Sequence, residues 1–295
     1  MPLSSLVRQL HEAALTGELL ERSRRPDRLL MRGAGRGCRA LVASAMAQRD
    51  KRPLLVVVPT LEEAGRWTAL LELMGWSTTH LYPTSEGSPY EPFDPTSEIV
   101  WGQLQVLSDL IAAPSQANRA IVATERCLQP HLPPAKALSE RCRILRRGDQ
   151  VHLEDLGETL ARLGYERVSS IDQEGTWSRR GDIVDVFPVS SELPVRLEFF
   201  GEELDKLREF DPASQRSLDP IDQLQLTPTG FSPLIADALR ERMPEGLDRL
   251  LQEQEVDLLL DGGTPEGMRR LMGLAWQEPA SLLDYLGEDL SLIHI

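Results

Sequence analysis

The sequence predicts an α/β fold: a parallel sheet with crossover helices, interrupted by an inserted α+β segment. Three observations carry this expectation. Leu54–Val58 is an unbroken run of Leu and Val, the signature of a strand buried on both faces. Apolar residues recur at helical spacing on either side of it. Beyond the Pro133-Pro134 pair the rhythm changes to strands that follow one another through short turns, as in an antiparallel sheet.

Taken in order, Leu3, Leu6, Val7, Leu10 and Ala14 lie on one helical face. A short apolar run at 29–31, read as a strand, leads into the glycine-rich turn Arg32-Gly33-Ala34-Gly35-Arg36-Gly37, and 38–48 is helical. After the strand Leu54–Val58, Pro59-Thr60 punctuates the chain and a helix follows over 61–74. A helix over 99–111 and a strand over 120–124 complete the first segment, residues 1–129. The linker 129–134 opens the second, 130–229: a helix at 153–163, then strands at 165–171, 178–187 and 195–200. The third, 230–295, reads as helices at 234–242, 247–254 and 264–272 with one strand at 256–260, and is expected to return to the first sheet.

Composition narrows the function. The 295 residues are 41% hydrophobic and 26% charged, enough to bury a core without metal or disulfide staples. The net charge of −14 argues against a polybasic nucleic-acid binder, although residues 1–52 hold 11 Arg or Lys against 5 Asp or Glu. Cys38, Cys127 and Cys142 form no CxxC pair, and the five His form no metal-binding spacing, so no metal site is expected. No apolar stretch is long enough to cross a membrane, and the first 20 residues lack the continuous apolar core of a secretory signal. A reducing cytoplasm is the expected compartment.

Two motifs bear on chemistry. The glycine turn has the outline of a phosphate-binding loop, but the pattern GxxxxGK[ST] is broken. Arg32 stands at the first glycine, Cys38 at the lysine and Arg39 at the Ser/Thr position, leaving only Gly33, Gly35 and Gly37. Cys38 cannot bring a charge to the β/γ-phosphates, and Arg39 cannot hold magnesium through a hydroxyl. No bound cofactor and no catalysis are therefore expected. The second motif is 195–200. With period two, Val195, Leu197 and Phe199 face a core, whereas Arg196, Glu198 and Phe200 face outward, joined by Arg180 if the pairing register permits. An outward Phe among charged neighbours is either a protein-binding anchor or a surface covered by another segment. Tyr82, Tyr90 and Phe93 are read as core and loop packing rather than a base-stacking platform, since no basic track accompanies them.

A resemblance sharpens this reading. The runs Gly164-Tyr165-Glu166-Arg167-Val168, Gly175 through Pro188, Pro194 through Leu204, Arg208-Glu209-Phe210-Asp211 and Ser214-Gln215-Arg216-Ser217 resemble the interaction domain shared by the excision-repair protein UvrB and the transcription-repair coupling factor family. Leu81-Tyr82-Pro83 and Ser88 through Pro95 resemble that second family in particular. The lost phosphate loop, and the lack of room between Tyr90 and Ile99 for UvrB's DNA-clamping hairpin, point the same way. The resemblance implies a degenerate P-loop (RecA-like) domain carrying an inserted UvrA-binding domain. It implies a protein-interaction module of transcription-coupled nucleotide excision repair, with UvrA contacts at Arg180, Arg196 and Phe200; strand periodicity adds Glu198. It also implies that RNA polymerase and duplex DNA are contacted through regions absent here, and that 291–295 depart from the family's continuation, leaving a missing strand and an open sheet edge. A nucleotide-dependent, DNA-binding protein of the UvrB type is the alternative.

Overall fold

A computed structural model describes residues 2–25, 29–85, 95–114, 116, 118–242, 246–287 and 290–294; in the last stretch only the backbone is described from 292 onward. Two compact units divide the chain: 1–84, 112–129 and 281–295 form one, and 85–111 with 130–280 the other. Both are interrupted in sequence. The first gives way to the second at 129/130, within the stretch read as a linker. The return from the second comes at 280/281, so of the segment 230–295 only the final part joins the first unit.

The first unit starts with α1 (Leu3–Glu12) and α2 (Ala14–Ser23), separated where Ala13 adopts an extended conformation. Then come α3 (Arg36–Arg49), β1 (Leu54–Val58), α4 (Leu61–Leu71), β2 (Thr78–Tyr82) and, after a segment belonging to the second unit, β3 (Arg119–Thr124). The α4 N-terminus shows why a helix begins there: the Thr60 hydroxyl accepts the Glu63 N–H at 3.2 Å, and Glu62 and Glu63 complement the helix dipole. All of β1 and β3 is buried, as their near-continuous apolar sequences require. Val7 of α1, Ala43 and Ala47 of α3, and Trp67 of α4 share one core with Leu54, Val56 and Val122.

The sheet is wholly parallel. Its far edge differs from expectation. Ser291–His294 forms a strand that pairs with β1, Leu54 opposite Ser291 and Val57 opposite His294, so the strand expected to be missing from this sheet is present and covers the β1 edge.

The second unit contains α5 (Ser97–Ala112), α6 (Ala135–Arg141), β4 (Arg143–Arg146), α7 (Leu153–Arg162) and a run of strands. These are β5 (Glu166–Arg167), β6 (Thr176–Arg180), β7 (Ile183–Phe187), β8 (Val195–Phe200), β9 (Glu203–Phe210), β10 (Ser217–Pro220) and β11 (Gln223–Leu226). Helices α8 (Ser232–Arg242), α9 (Glu253–Leu260), α10 (Met272–Ala275) and, back in the first unit, α11 (Leu282–Leu286) follow, and Ser291–His294 is β12. The sheet order within the first unit is therefore β12-β1-β3-β2. In the second, β10-β9-β8-β7-β6-β5 forms a mixed sheet, antiparallel except for β5 on β6, and β11 pairs with β4. One face of the mixed sheet (Trp177, Val184, Val186, Val195, Leu197, Phe199, Leu204, Leu207) packs on Leu156, Leu160 and Leu163 at α7 and on Leu145, Leu224 and Leu226.

Several element expectations change, among them the helix over 264–272, of which only a 3-10 turn at Met268–Leu271 forms ahead of α10. Residues 178–187 are a hairpin rather than one strand, because Gly181 takes φ +63° and reverses the chain between β6 and β7. Of 165–171 only Glu166–Arg167 joins a ladder. Residues 256–260 are helical, the end of α9: the Glu255 carboxylate accepts the Gln252 N–H at 2.7 Å and caps the helix upstream of the apolar run.

Candidate functional site

The face of the mixed sheet opposite its main core carries the outward residues singled out in the sequence. The register places Ser178, Asp185, Arg196 and Arg208 in one row across β6 to β9. Arg180, Ile183, Glu198 and Lys206 form the next row, with Phe200 beyond a register shift between Glu198 and Phe199. Arg180 does share the outer face with Arg196, Glu198 and Phe200. The face is not uniform. At one end Phe187 and Phe210 are covered by Ile171 and Val168, which form a second small core. At the other end Phe200 is 84% exposed and Ile183 is also exposed.

The four predicted residues have four different surroundings. Phe200 is close to bare. Arg180 keeps 61% of its side chain exposed, with Nη2 3.9 Å from Asp185. Glu198 lies 3.7 Å from Lys206 across the strand pair. Arg196 differs most: its side chain is only 18% exposed, and it grips Asp185 through Nε at 2.7 Å and Nη2 at 2.9 Å. Its guanidinium also lies over the Phe210 ring, 4.7 Å from the centroid. The hydrogen bond to Asp185 raises the Arg196 pKa further above its ordinary value. The arginine that periodicity turned toward solvent is thus a half-covered strut between β8, β7 and the loop after β9.

That loop is itself tightly organised. Asp211 accepts the Ala213 and Ser214 N–H groups, both at 2.8 Å, and these bonds hold its carboxyl below the usual range. Gln215 takes φ +60°, and its amide donates to Ile171 and Pro212 carbonyls at 3.1 and 2.8 Å. Its own carbonyl lies 3.5 Å from Arg196 Nη1. Sequence reasoning missed Asp185, Phe210 and Gln215. Asp185 was legible in principle: a carboxylate at an outward position, flanked by Val184 and Val186 in a β-branched strand, needs a partner.

The glycine turn keeps less of a phosphate loop than its sequence outline. Residues 29–31 are not a strand, so the strand-turn-helix cradle is incomplete. Gly33 takes φ +72° and Gly35 precedes α3, but the first turn is occupied by Arg36, whose Nη2 meets the Glu63 carboxylate at 2.8 Å. Cys38 is exposed. Among the described residues no His, Cys, Asp and Glu cluster has metal-binding form. Tyr82 is fully buried; Tyr90 and Phe93 lie outside the described residues.

Comparison with known proteins assigns the sheet that carries the patch: residues 144–230 match the UvrB interaction domain. The chain contains a UvrB interaction domain. Around it, the similarity extends to the N-terminal region of transcription-repair-coupling factors. That of Mycobacterium bovis is 30% identical over 298 residues, 96% of this chain and 24% of the relative. That of Haemophilus influenzae is 28% identical over 257 residues, 85% of this chain and 22% of the relative. That of Escherichia coli is 26% identical over 266 residues, 86% of this chain and 22% of the relative. The chain therefore spans about a quarter of the length of these relatives. No helix among the described residues is long and apolar enough to cross a membrane.

Proposed function

We propose that the UvrB interaction domain of this chain recruits UvrA to lesions where RNA polymerase has stalled, as a binding module of transcription-coupled nucleotide excision repair. One observation carries the reading: a phenylalanine, Phe200, stands 84% exposed on a rigid sheet beside the accessible Arg180. An apolar side chain presented in this way, next to a guanidinium, is the form of an interface anchor. Phe200 fills an apolar socket on the partner, and Arg180 pairs with an acidic group there. Glu198 and Arg196 border the contact. The module acts by binding alone; polymerase displacement and duplex translocation belong to other regions of the coupling factors, and this chain acts in the cytoplasm.

Calorimetric titration of the chain with UvrA tests the proposal. The parent binds, and Phe200→Ala or Arg180→Ala each loses about 2 kcal/mol or more, a thirtyfold weakening typical of an anchor residue. Circular dichroism establishes that both variants keep the fold. Unchanged affinity in both overturns the assignment of the surface. A parallel titration with ATP is expected to be flat; saturable nucleotide binding lost on changing Gly37 would favour the UvrB-like, nucleotide-dependent alternative.

A further inference from the structure

We infer that Asp185 is a positioning residue for this surface: it fixes the guanidinium of Arg196 and draws Arg180 toward it, so that the partner meets a preset cationic rim beside Phe200. The inference rests on the UvrA reading for its consequence in binding, but not for its geometry.

Asp185 is 3% exposed, and both its oxygens are occupied by Arg196, at 2.7 and 2.9 Å. A bidentate carboxylate–guanidinium pair constrains the plane of the arginine as well as its position. Phe210 restrains that plane from a second direction, at 4.7 Å. Arg180, on the neighbouring strand, approaches the same carboxylate to 3.9 Å while remaining accessible. Two guanidinium groups thus share one carboxylate, and with Glu198 set against Lys206 and Arg208 beside Arg196 the two rows keep an excess of positive charge. Arg180 brings that charge into the row of Ile183 and, past the register shift, toward Phe200. The chemistry that complements this arrangement is an acidic side chain beside an apolar socket. Preorganisation of the arginines spares the partner the entropy of ordering them. In this arrangement Arg196 contributes through the geometry it confers, whereas Arg180 and Phe200 touch the partner.

The test uses the whole chain and two readouts. In the first, the Nε–Hε resonance of Arg196 is followed by 1H–15N NMR without any partner. The parent is expected to give a slowly exchanging, shifted signal, and Asp185→Asn to return it to the position of a free arginine while the β8 backbone amides stay in place. An Arg196 signal indifferent to Asp185→Asn overturns the positioning role, whatever UvrA does. The second readout is UvrA affinity. Asp185→Asn is expected to weaken binding about tenfold, and to have a clearly smaller effect in an Arg196→Ala background, where only its hold on Arg180 is left to lose. Effects that simply multiply in the double variant overturn the coupling. If the parent fails to bind UvrA while its Arg196 signal responds to Asp185→Asn as described, the UvrA assignment fails and the positioning geometry stands.

Discussion

Replacing Arg196 with Ala leaves the Asp185 carboxylate buried without its bidentate partner, Arg180 standing 3.9 Å away. A buried charge deprived of its partner costs about 3–5 kcal/mol. Arg196→Ala should therefore lower the melting temperature on the order of 10 °C for a unit of this size, seen by differential scanning calorimetry. Phe200→Ala removes no packing and should leave the melting temperature unchanged. Equal melting temperatures for Arg196→Ala and parent would show that Asp185 finds other compensation. The contrast bears on what a sequence reveals: period two placed both side chains on the outer face, but said nothing of the loop that covers Arg196. The thiols make a second residue-scale prediction. Burial raises Cys127 to about 12 and Cys142 to about 11, against 9.0 for the free thiol. The unfolded chain releases these protons first, so their contribution to stability is complete below pH 9 and is lost as pH rises toward 11 and 12. Unfolding free energy measured in urea should decline across that range, and Cys127→Ala should lessen the decline. Exposed Cys38 should react with alkylating reagents in the folded chain, and Cys127 only on unfolding.

Among the elements, glycines set the geometry of the mixed sheet where side chains cannot. Gly164 takes φ +89° after α7, and a Cβ built there collides with the Thr229 hydroxyl. Both the conformation and the collision oppose substitution, so Gly164→Ala should destabilise the second unit by about 2 kcal/mol or more, measured by urea denaturation; a smaller loss would mean that Thr229 yields freely. The strands β1, β3 and β8 were legible because alternation or a continuous apolar run leaves one reading. The α9 segment was not, because Val-Asp-Leu-Leu-Leu is compatible with strand or helix and the deciding signal, the Glu255 cap, lies upstream. The hairpin of β6 and β7 was merged into one strand for a similar reason: Gly181-Asp182 was passed over as part of an extended run, although its turn chemistry was available.

At the scale of the whole molecule, the parallel sheet and the mixed sheet were both foreseeable from the change of rhythm near residue 130. What local pattern could not supply was the pairing of β12 with β1, a contact between the first and last segments of the interrupted first unit. Long-range pairing leaves no local signature in either strand. Shortening the chain after Gly287 should expose β1 as an edge and increase aggregation, measured by light scattering, since an uncovered apolar strand is a template for association. UvrA binding by the remaining monomer should persist, because the Phe200 face belongs to the other unit; its loss would show that the two units depend on one another. The same pairing has a consequence for the order of events at the ribosome. Everything between Val58 and Ser291 must emerge before β1 meets β12, a delay on the order of 10–50 s at ordinary rates of synthesis. The mixed sheet, complete once Pro220 has appeared, has the whole of that remaining interval to close first. The nascent chain would then display Phe200 while its first sheet still waits for its final strand.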